Sequence, residues 1–391
     1  ISPVANLIAV PVVSLGVVPL VLPGVLLGAL GSSLGNWLLQ MADQILHGLM
    51  WLLEYLGGMS WAAFSLPISS AAALGFAMLA VFLLLLPRGL PGRWLMPLFL
   101  LPAVTGTAGL EMRPGQFSVD ILDVGQGLAT VVMTANHTLV FDTGARFSRR
   151  SSAARSVVLP FLKQAGIDHL DVLVLSHDDN DHAGGESVIM RGLTVGRRYF
   201  STSRQKGRES GLVSHCNTGD RWQWDGVDFE FLHPPPGWAS GDNNGSCVLK
   251  ISNAAFGALL PGDIEQPVEK FLLQHEAEKL PSTLLVAPHH GSLTSSSRDF
   301  IAQVAPQWVV FSVGYHNRFG FPKPEVVARY RQLGSETLET DRSGGTSFRF
   351  GSQPGDLQVQ TWRDAHRHWW QPWMPEAENE LVDTSATPSF L

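Results

Sequence analysis

The chain has 391 residues, 27 basic and 34 acidic, for a net charge of −7; that length predicts two or three domains. The charge is unevenly placed. Residues 1–110 hold only Asp43, Glu54, Arg88 and Arg93, whereas roughly one residue in five is charged thereafter, as in a soluble domain. A single soluble globule is excluded, and so is a protein lying wholly within a membrane. The first residue is Ile1 rather than Met, which predicts that part of the same protein is missing upstream. Two cysteines, Cys216 and Cys247, are too few for a disulfide framework or a cysteine-rich zinc site. Two separate core residues are expected, with one bridge in an oxidising compartment as the alternative. The overall acidity excludes a chain wrapped everywhere around nucleic acid but leaves room for a local basic patch.

A bilayer span takes about 20 mostly apolar residues. Residues 6–30 carry no charge, with Pro11, Pro19 and Pro23 expected to bend them; 68–86 form a cleaner run, and 94–110 a shorter one interrupted by proline. About three spans are therefore predicted within residues 1–111. A cleavable signal peptide is not expected, since nothing basic precedes the first run and two more follow. Between the first two spans, Asn36, Gln40, Asp43, Gln44, His47 and Glu54 recur at helical spacing among apolar residues. This predicts an amphipathic helix over 34–56, contacting lipid at the interface or packed on other helices. Arg88 and Arg93 flank the link between the second and third spans, and the positive-inside rule places that link in the cytoplasm. Everything after residue 110 is then expected outside.

From Gln116 the periodicity shortens. Strands are predicted over 117–124, 128–134, 138–141, 170–176, 229–232, 247–251, 256–260, 283–287 and 308–313, and helices over 156–165, 267–278, 297–303 and 324–333. Many strands with few helices between them predict an α/β sandwich rather than a regular βαβ repeat. The expected domain limits are 1–111 for the membrane region, 112–352 for the soluble domain and 353–391 for a partly disordered tail, tryptophan-rich and then acidic.

The chemistry begins where a strand ends. Ser176-His177-Asp178-Asp179-Asn180-Asp181-His182 sets three carboxylates and two histidines in a few residues. Carboxylates so close repel one another unless cations compensate, and dications take such mixed nitrogen and oxygen ligands. Two later strands end the same way, in Pro261-Gly262-Asp263 and in Pro288-His289-His290-Gly291-Ser292. Three strand-end clusters of ligand types can meet at one edge of a sheet.

His177-x-Asp179-x-Asp181-His182 resembles the H-x-H-x-D-H signature of the metallo-β-lactamase fold, with Asp179 in place of the second histidine. Asp142 in Phe-Asp-Thr-Gly, Asp263 and His289-His290-Gly-Ser match its other landmarks in order. The opening Leu122-Asp123-Val124-Gly125-Gln126-Gly127 and the preceding apolar helices are similar to the ComEC family of bacterial DNA-uptake proteins. The resemblance implies an αββα sandwich behind transmembrane helices. It implies two divalent metal ions, zinc or manganese: one on His177 and Asp179, the other on Asp181 and His182, with Asp263 bridging and His290 closing the set. Asp181 and Asp142 are the implied catalytic residues, Asp142 orienting a ligand histidine or the attacking water. His289, Asn244 and Ser246 are expected beside the ligands or facing substrate. No further histidine between Asp181 and Asp263 matches a motif; His215 and His233 are alternatives, with His233 expected to be structural. The family's Gly-His-Pro-His-Pro stretch is here Gly320-Phe321-Pro322-Lys323-Pro324, without two potential phosphate or metal contacts.

A nucleic-acid substrate needs a positive track. Arg191, Arg197, Arg198, Arg204, Lys206 and Arg208 form one basic run and Arg146, Arg149, Arg150 and Arg155 another; Arg149, Arg150, Arg197 and Arg198 are the expected phosphate contacts. Tyr199, Phe200 and Trp222 stack bases or pack in the core. The resemblance implies a multi-pass protein of the bacterial inner membrane that takes up DNA. Its extracytoplasmic metal-dependent nuclease domain would hydrolyse the strand that is not transported, and its partners would be single-stranded DNA, lipid and other uptake components. A lactonase or thioesterase with a dry apolar pocket and a non-catalytic DNA-binding channel domain are the alternatives.

Overall fold

The computed structural model describes residues 2–59, 71–86, 93–105, 112–148, 151–201, 213–238 and 242–366. The chain divides into two units, Ile1–Thr107 and Ala108–Leu391.

In the first unit, one helix among the described residues is long and apolar enough to cross a membrane, Val4–Ala29, with 26 residues and mean hydropathy 2.3. Pro11 does not break it. The helix passes into a π-helical stretch, Val12–Val17, and returns to α-helix over Val18–Ala29, a local widening that absorbs the hydrogen bond proline cannot donate. A turn leads into the amphipathic helix Ser33–Gly57, where Asp43 and His47 pair at 3.3 Å on the exposed stripe. Glycines let these two helices touch. A Cβ on Gly35 would lie 2.3 Å from the Gly28 nitrogen and 2.8 Å from the Gly24 oxygen, the close approach that small residues permit between membrane helices. The other two expected spans are shorter among the described residues. Ala71–Leu85 has 15 residues and Met96–Thr105 has 10; at 1.5 Å per residue neither reaches the roughly 30 Å of a hydrocarbon core. Phe76 stacks on Phe99 between them. Arg88 lies outside the described residues.

The second unit is a four-layer sandwich. Its strands are β1 Phe117–Ile121, β2 Thr130–Met133, β3 Thr138–Phe141, β4 His169–Leu175, β5 Thr194–Phe200, β6 Val213–His215, β7 Arg221–Trp224, β8 Val227–His233, β9 Val248–Ser252, β10 Gly257–Leu260, β11 Leu284–Val286, β12 Trp308–Phe311, β13 Glu336–Glu339, β14 Thr346–Phe350 and β15 Leu357–Thr361. One sheet runs β15-β14-β1-β2-β3-β4-β5-β6 and the other β13-β12-β11-β10-β9-β8-β7. Between them lies a core of Phe117, Val119, Ile121, Phe141, Val174, Phe229, Phe231 and Phe348; burying each such side chain contributes about 1.5–3 kcal/mol. Alternate residues face outward. Leu173 and Leu175 pack beneath a helical segment covering 153–164 and the helix Glu186–Gly192, which buries Ile189 against them. Helices Gln266–His275, Arg298–Val304 and Pro324–Gln332 cover the other sheet.

Two features differ from expectation. The sheet does not stop at residue 352, because β15 pairs antiparallel with β14 from Phe350↔Leu357 to Thr346↔Thr361. Leu357 and Val359 pack on the core while Gln358 and Gln360 alternate with them, so the domain takes in the start of the expected tail. Cys216 and Cys247 form a disulfide with Cα atoms 6.0 Å apart. It ties the end of β6 in one sheet to the start of β9 in the other.

Candidate metal centre

Strands β3 to β6 run parallel in one sheet and β10 to β13 in the other. Each sheet therefore brings several strand C-termini to one edge, and the loops leaving β3, β4, β10, β11 and β12 meet there. Asp142 follows β3 with φ 62°, a left-handed conformation that Asp tolerates better than most residues. Its carboxylate is buried and receives the Ser176 amide and hydroxyl, each at 2.7 Å. It also lies 2.7 Å from His182 Nδ1. A carboxylate accepts only, so the imidazole donates. After β11, His289, His290 and Gly291 are all left-handed, with φ 49°, 54° and 83°. This turn directs His290 inward, where Nδ1 donates to the Ser312 carbonyl at 2.8 Å.

With both Nδ1 atoms committed, His182 Nε2 and His290 Nε2 face one another at 3.1 Å, the nitrogens that carry the lone pairs when the imidazoles are neutral. Asp263 lies 3.1 Å from the first and 3.5 Å from the second, and Asp181 lies 3.5 Å from His290. His177 Nε2 is buried with no hydrogen-bond partner among the described residues. Two groups of three ligand atoms result, His177, His182 and Asp263, and Asp181, His182 and His290, each within 4.8 Å of one another. Opposed imidazole nitrogens, an unpartnered buried nitrogen and crowded carboxylates suit divalent cations.

The electrostatics agree. Burial opposes the charged form of His182, yet Asp263 and Asp142 on its two nitrogens hold its pKa well above the usual histidine value. Burial would raise Asp263, but His182 and His290 keep it well below the carboxylate range. Burial would likewise raise Asp181, but the hydrogen bond from His290 and the charges of His182 and His290 hold it at about 2. The site thus favours a positive charge among fixed carboxylates.

The structure gathers His177, Asp181, His182, Asp263 and His290, with Asp263 central. Asp179 lies at the rim, its side chain 64% exposed and its carboxylate 3.6 Å from His177 Nε2. Asp142 holds His182 from behind. His289 sits at the mouth, 3.9 Å from Asp263 and 3.4 Å from Glu265. Asn244 pairs with Glu265, its Nδ2 donating to the carboxylate at 3.2 Å. The neighbouring Asn243 amide faces His289. Ser246 Oγ accepts from the Asp263 amide at 3.2 Å, so it positions a ligand's backbone. His233 is buried away from the ligands, donating from Nδ1 to the Ser246 carbonyl at 2.9 Å. His215 contacts Ser201.

Several contributors escape the sequence reading. Ser176 fixes Asp142, and Ser312 both accepts from His290 and donates its hydroxyl to the Gly127 carbonyl at 2.6 Å. Gly127 has φ 128°, and a Cβ there would meet the Asp181 oxygen at 2.3 Å; the glycine-rich opening is a backbone clasp on the Asp181 turn, sealed by Leu128 N donating to the Asp181 carbonyl. The serine following a strand and preceding His177 was the visible signal.

The basic runs are only partly placed. Arg149, Arg150, Arg204, Lys206 and Arg208 lie outside the described residues. Arg197 and Arg198 are consecutive on β5 and face opposite sides of the sheet. Arg197 donates to the Tyr199 hydroxyl at 3.0 Å and, with His215 and Arg221, lines a cavity of about 590 Å³. Arg198 lies on the helix side, 3.8 Å from Glu186. Tyr199 and Phe200 are core residues, and Trp222 stacks on Tyr199.

A family model for the metallo-beta-lactamase superfamily matches residues 122–312, and one described as competence protein matches residues 1–91. Competence protein ComA of Neisseria gonorrhoeae is 36% identical over 377 residues, 95% of this chain and 50% of that protein. Uncharacterized protein YcaI of Escherichia coli (strain K12) is 31% identical over 361 residues, 90% of this chain and 45% of its own. The chain spans about half the length of these curated relatives. Among solved structures, the metallo-beta-lactamase fold protein YhfI from Bacillus subtilis covers 60% of this chain and 99% of its own at 11% identity, with a TM-score of 0.39. A competence-protein segment followed in the same chain by a metallo-β-lactamase domain, with 36% identity to a competence protein over 95% of this chain, shows that the chain belongs to the ComEC family.

Proposed function

We propose that the second unit is a divalent-metal-dependent phosphodiesterase acting on DNA outside the cytoplasm, and that the first belongs to a multi-pass inner-membrane uptake path. The observation that carries this reading is the opposed His182 and His290 Nε2 atoms, 3.1 Å apart, with Asp263 against both. When bound, a pair of zinc or manganese ions supplies Lewis acidity and a nucleophile at neutral pH. The chain's own residues do the rest. Asp142 keeps His182 in the Nδ1–H form, Asp181 accepts a hydrogen bond from the attacking water, and His289 at the mouth faces the departing oxygen. A phosphodiester suits the site because its charge develops on oxygens that a cationic centre reaches.

The buried Cys216–Cys247 bridge favours an oxidising compartment, as does the positive-inside expectation for the Arg88–Arg93 link. DNA, lipid and other uptake components are the expected partners, and degradation of the untransported strand is the expected role. The exposure of Asp179 favours a second reading, in which a reduced ligand set binds DNA without cutting it. One experiment separates them: metal content and single-strand DNA cleavage of the 391-residue chain and its Asp181→Ala variant. Bound metal with cleavage lost in the variant supports the hydrolase. Cleavage unchanged in the variant defeats the assignment, and DNA binding without cleavage by the parent favours the second reading.

A further inference from the structure

The loop between β12 and helix Pro324–Gln332 carries more chemistry than a connection requires. Tyr315 is 69% exposed and Phe319 43% exposed. Phe319 stacks on Phe321 with ring centres 5.6 Å apart and planes 16° apart. The Arg318 guanidinium lies over Phe319 at 4.7 Å, and Lys323 Nζ over Phe321 at 5.4 Å. No acidic residue occurs in 312–324.

The loop is braced. Asn317 Nδ2 donates to the carbonyls of Gly314 and Phe321, and its Oδ1 accepts from the Phe321 amide at 2.9 Å. Lys323 Nζ donates to the Phe319 carbonyl at 2.8 Å. A Cβ on Gly314 would lie 2.7 Å from the Gln126 nitrogen, and one on Gly291 would lie 2.8 Å from Pro322. The rings are thus held in place before any ligand arrives, which reduces the ordering cost of binding. They also adjoin the centre: Phe321 meets His289 edge-on at 5.8 Å, and His289 reaches Asp263.

We propose that this loop is a stacking grip for an unpaired base next to the scissile phosphate, with Phe319 as the ring face and Arg318 and Lys323 as phosphate contacts. The proposal rests on the phosphodiesterase reading and adds the part of the site that holds a base of the single strand. A nucleotide offers both partners of the existing pair a replacement, a base for the ring and a phosphate for the guanidinium. Bases inside a duplex are already stacked and cannot reach the ring.

The test uses the 391-residue chain in detergent, a labelled single-stranded oligonucleotide, the same strand with abasic positions, and the variants Phe319→Leu and Phe319→Tyr. Leucine keeps the apolar volume and removes the π face. It is expected to raise KM and weaken binding to the intact strand on the order of 5- to 100-fold with kcat retained. Tyrosine restores both, and abasic DNA shows no difference between variants. Equal KM and binding for Phe319→Leu and the parent, or an equal loss on abasic DNA, overturns the grip. A parent that binds with this leucine–tyrosine pattern but cuts nothing keeps the grip and defeats the hydrolase reading. A parent that neither binds nor cuts defeats both.

Discussion

His182 donates from Nδ1 to the buried Asp142 carboxylate at 2.7 Å, and that bond decides which nitrogen of His182 faces the centre. Partners behind a ligand histidine typically alter metal affinity 10- to 100-fold. Asp142→Asn is the informative change, because asparagine accepts the left-handed backbone at this position but puts an amide NH2 against donors from Ser176 or His182. Metal affinity, measured by competition with a chelator, is expected to fall about 10- to 100-fold while the fold is retained. Unchanged affinity would mean that Asp142 does not orient His182.

Deeper in the domain, burial pushes the His233 imidazole down to about 4, against the hydrogen bond it donates to Ser246. The unfolded chain therefore binds a proton that the folded chain refuses between about pH 6.5 and 4. His233 favours folding fully above that window, and stability falls by about 3 kcal/mol as pH drops through it. In His233→Gln this part of the pH dependence is absent. Urea unfolding of parent and variant at pH 7 and pH 4.5 checks it; parallel losses of stability would assign the acid sensitivity elsewhere.

The candidate ligands stand out in the sequence because they follow apolar strands directly. His177, Asp263 and His290 each sit within a few residues of a buried run, and parallel strands bring such positions to a common edge. Less was legible where the strand pattern is masked. β5 carries a glycine and two arginines, and β13 reads Glu-Thr-Leu-Glu, so neither shows the apolar content of a strand, and pairing with neighbours decides them. Asp179 is the exposed member of the motif: it lies 3.6 Å from His177, the partner that the motif implies, and precedes the short helix Asn180–Ala183 in extended conformation, which turns Asp181 and His182 inward.

The Cys216–Cys247 bridge closes 31 residues of sequence between two sheets. Constraining an unfolded loop of that length contributes about 3–4 kcal/mol in the chain-entropy model. Both cysteines are fully buried, so Cys216→Ala with Cys247→Ala is expected to lower the unfolding free energy by that amount, read as a fall in denaturant midpoint, while metal content is retained. Reductant should reproduce the loss in the parent and leave the double variant unaffected. A parent insensitive to reductant after unfolding and refolding would show that the bridge does not stabilise the domain.

Arg197 and Arg198 looked like one basic patch, and β5 divides them. Arg197 stands beside Val172 in the neighbouring strand and Arg198 beside Leu173; Val172 faces the core between the sheets and Leu173 faces the helices. Arg198 is therefore directed to Glu186, whose carboxylate at 3.8 Å already neutralises it, while Arg197 opens on the cavity shared with His215 and Arg221. Each phosphate contact on a single strand contributes a slope of about −0.7 to the dependence of log affinity on log salt. Arg197→Ala is expected to flatten the slope by about one contact. Arg198→Ala should leave it unchanged, and the double variant should match Arg197→Ala alone. Salt titrations of oligonucleotide binding by fluorescence anisotropy read all three. Flattening by two contacts in the double variant would mean that Arg198 abandons Glu186 for DNA, and no flattening in any of them would remove β5 from the path of the strand.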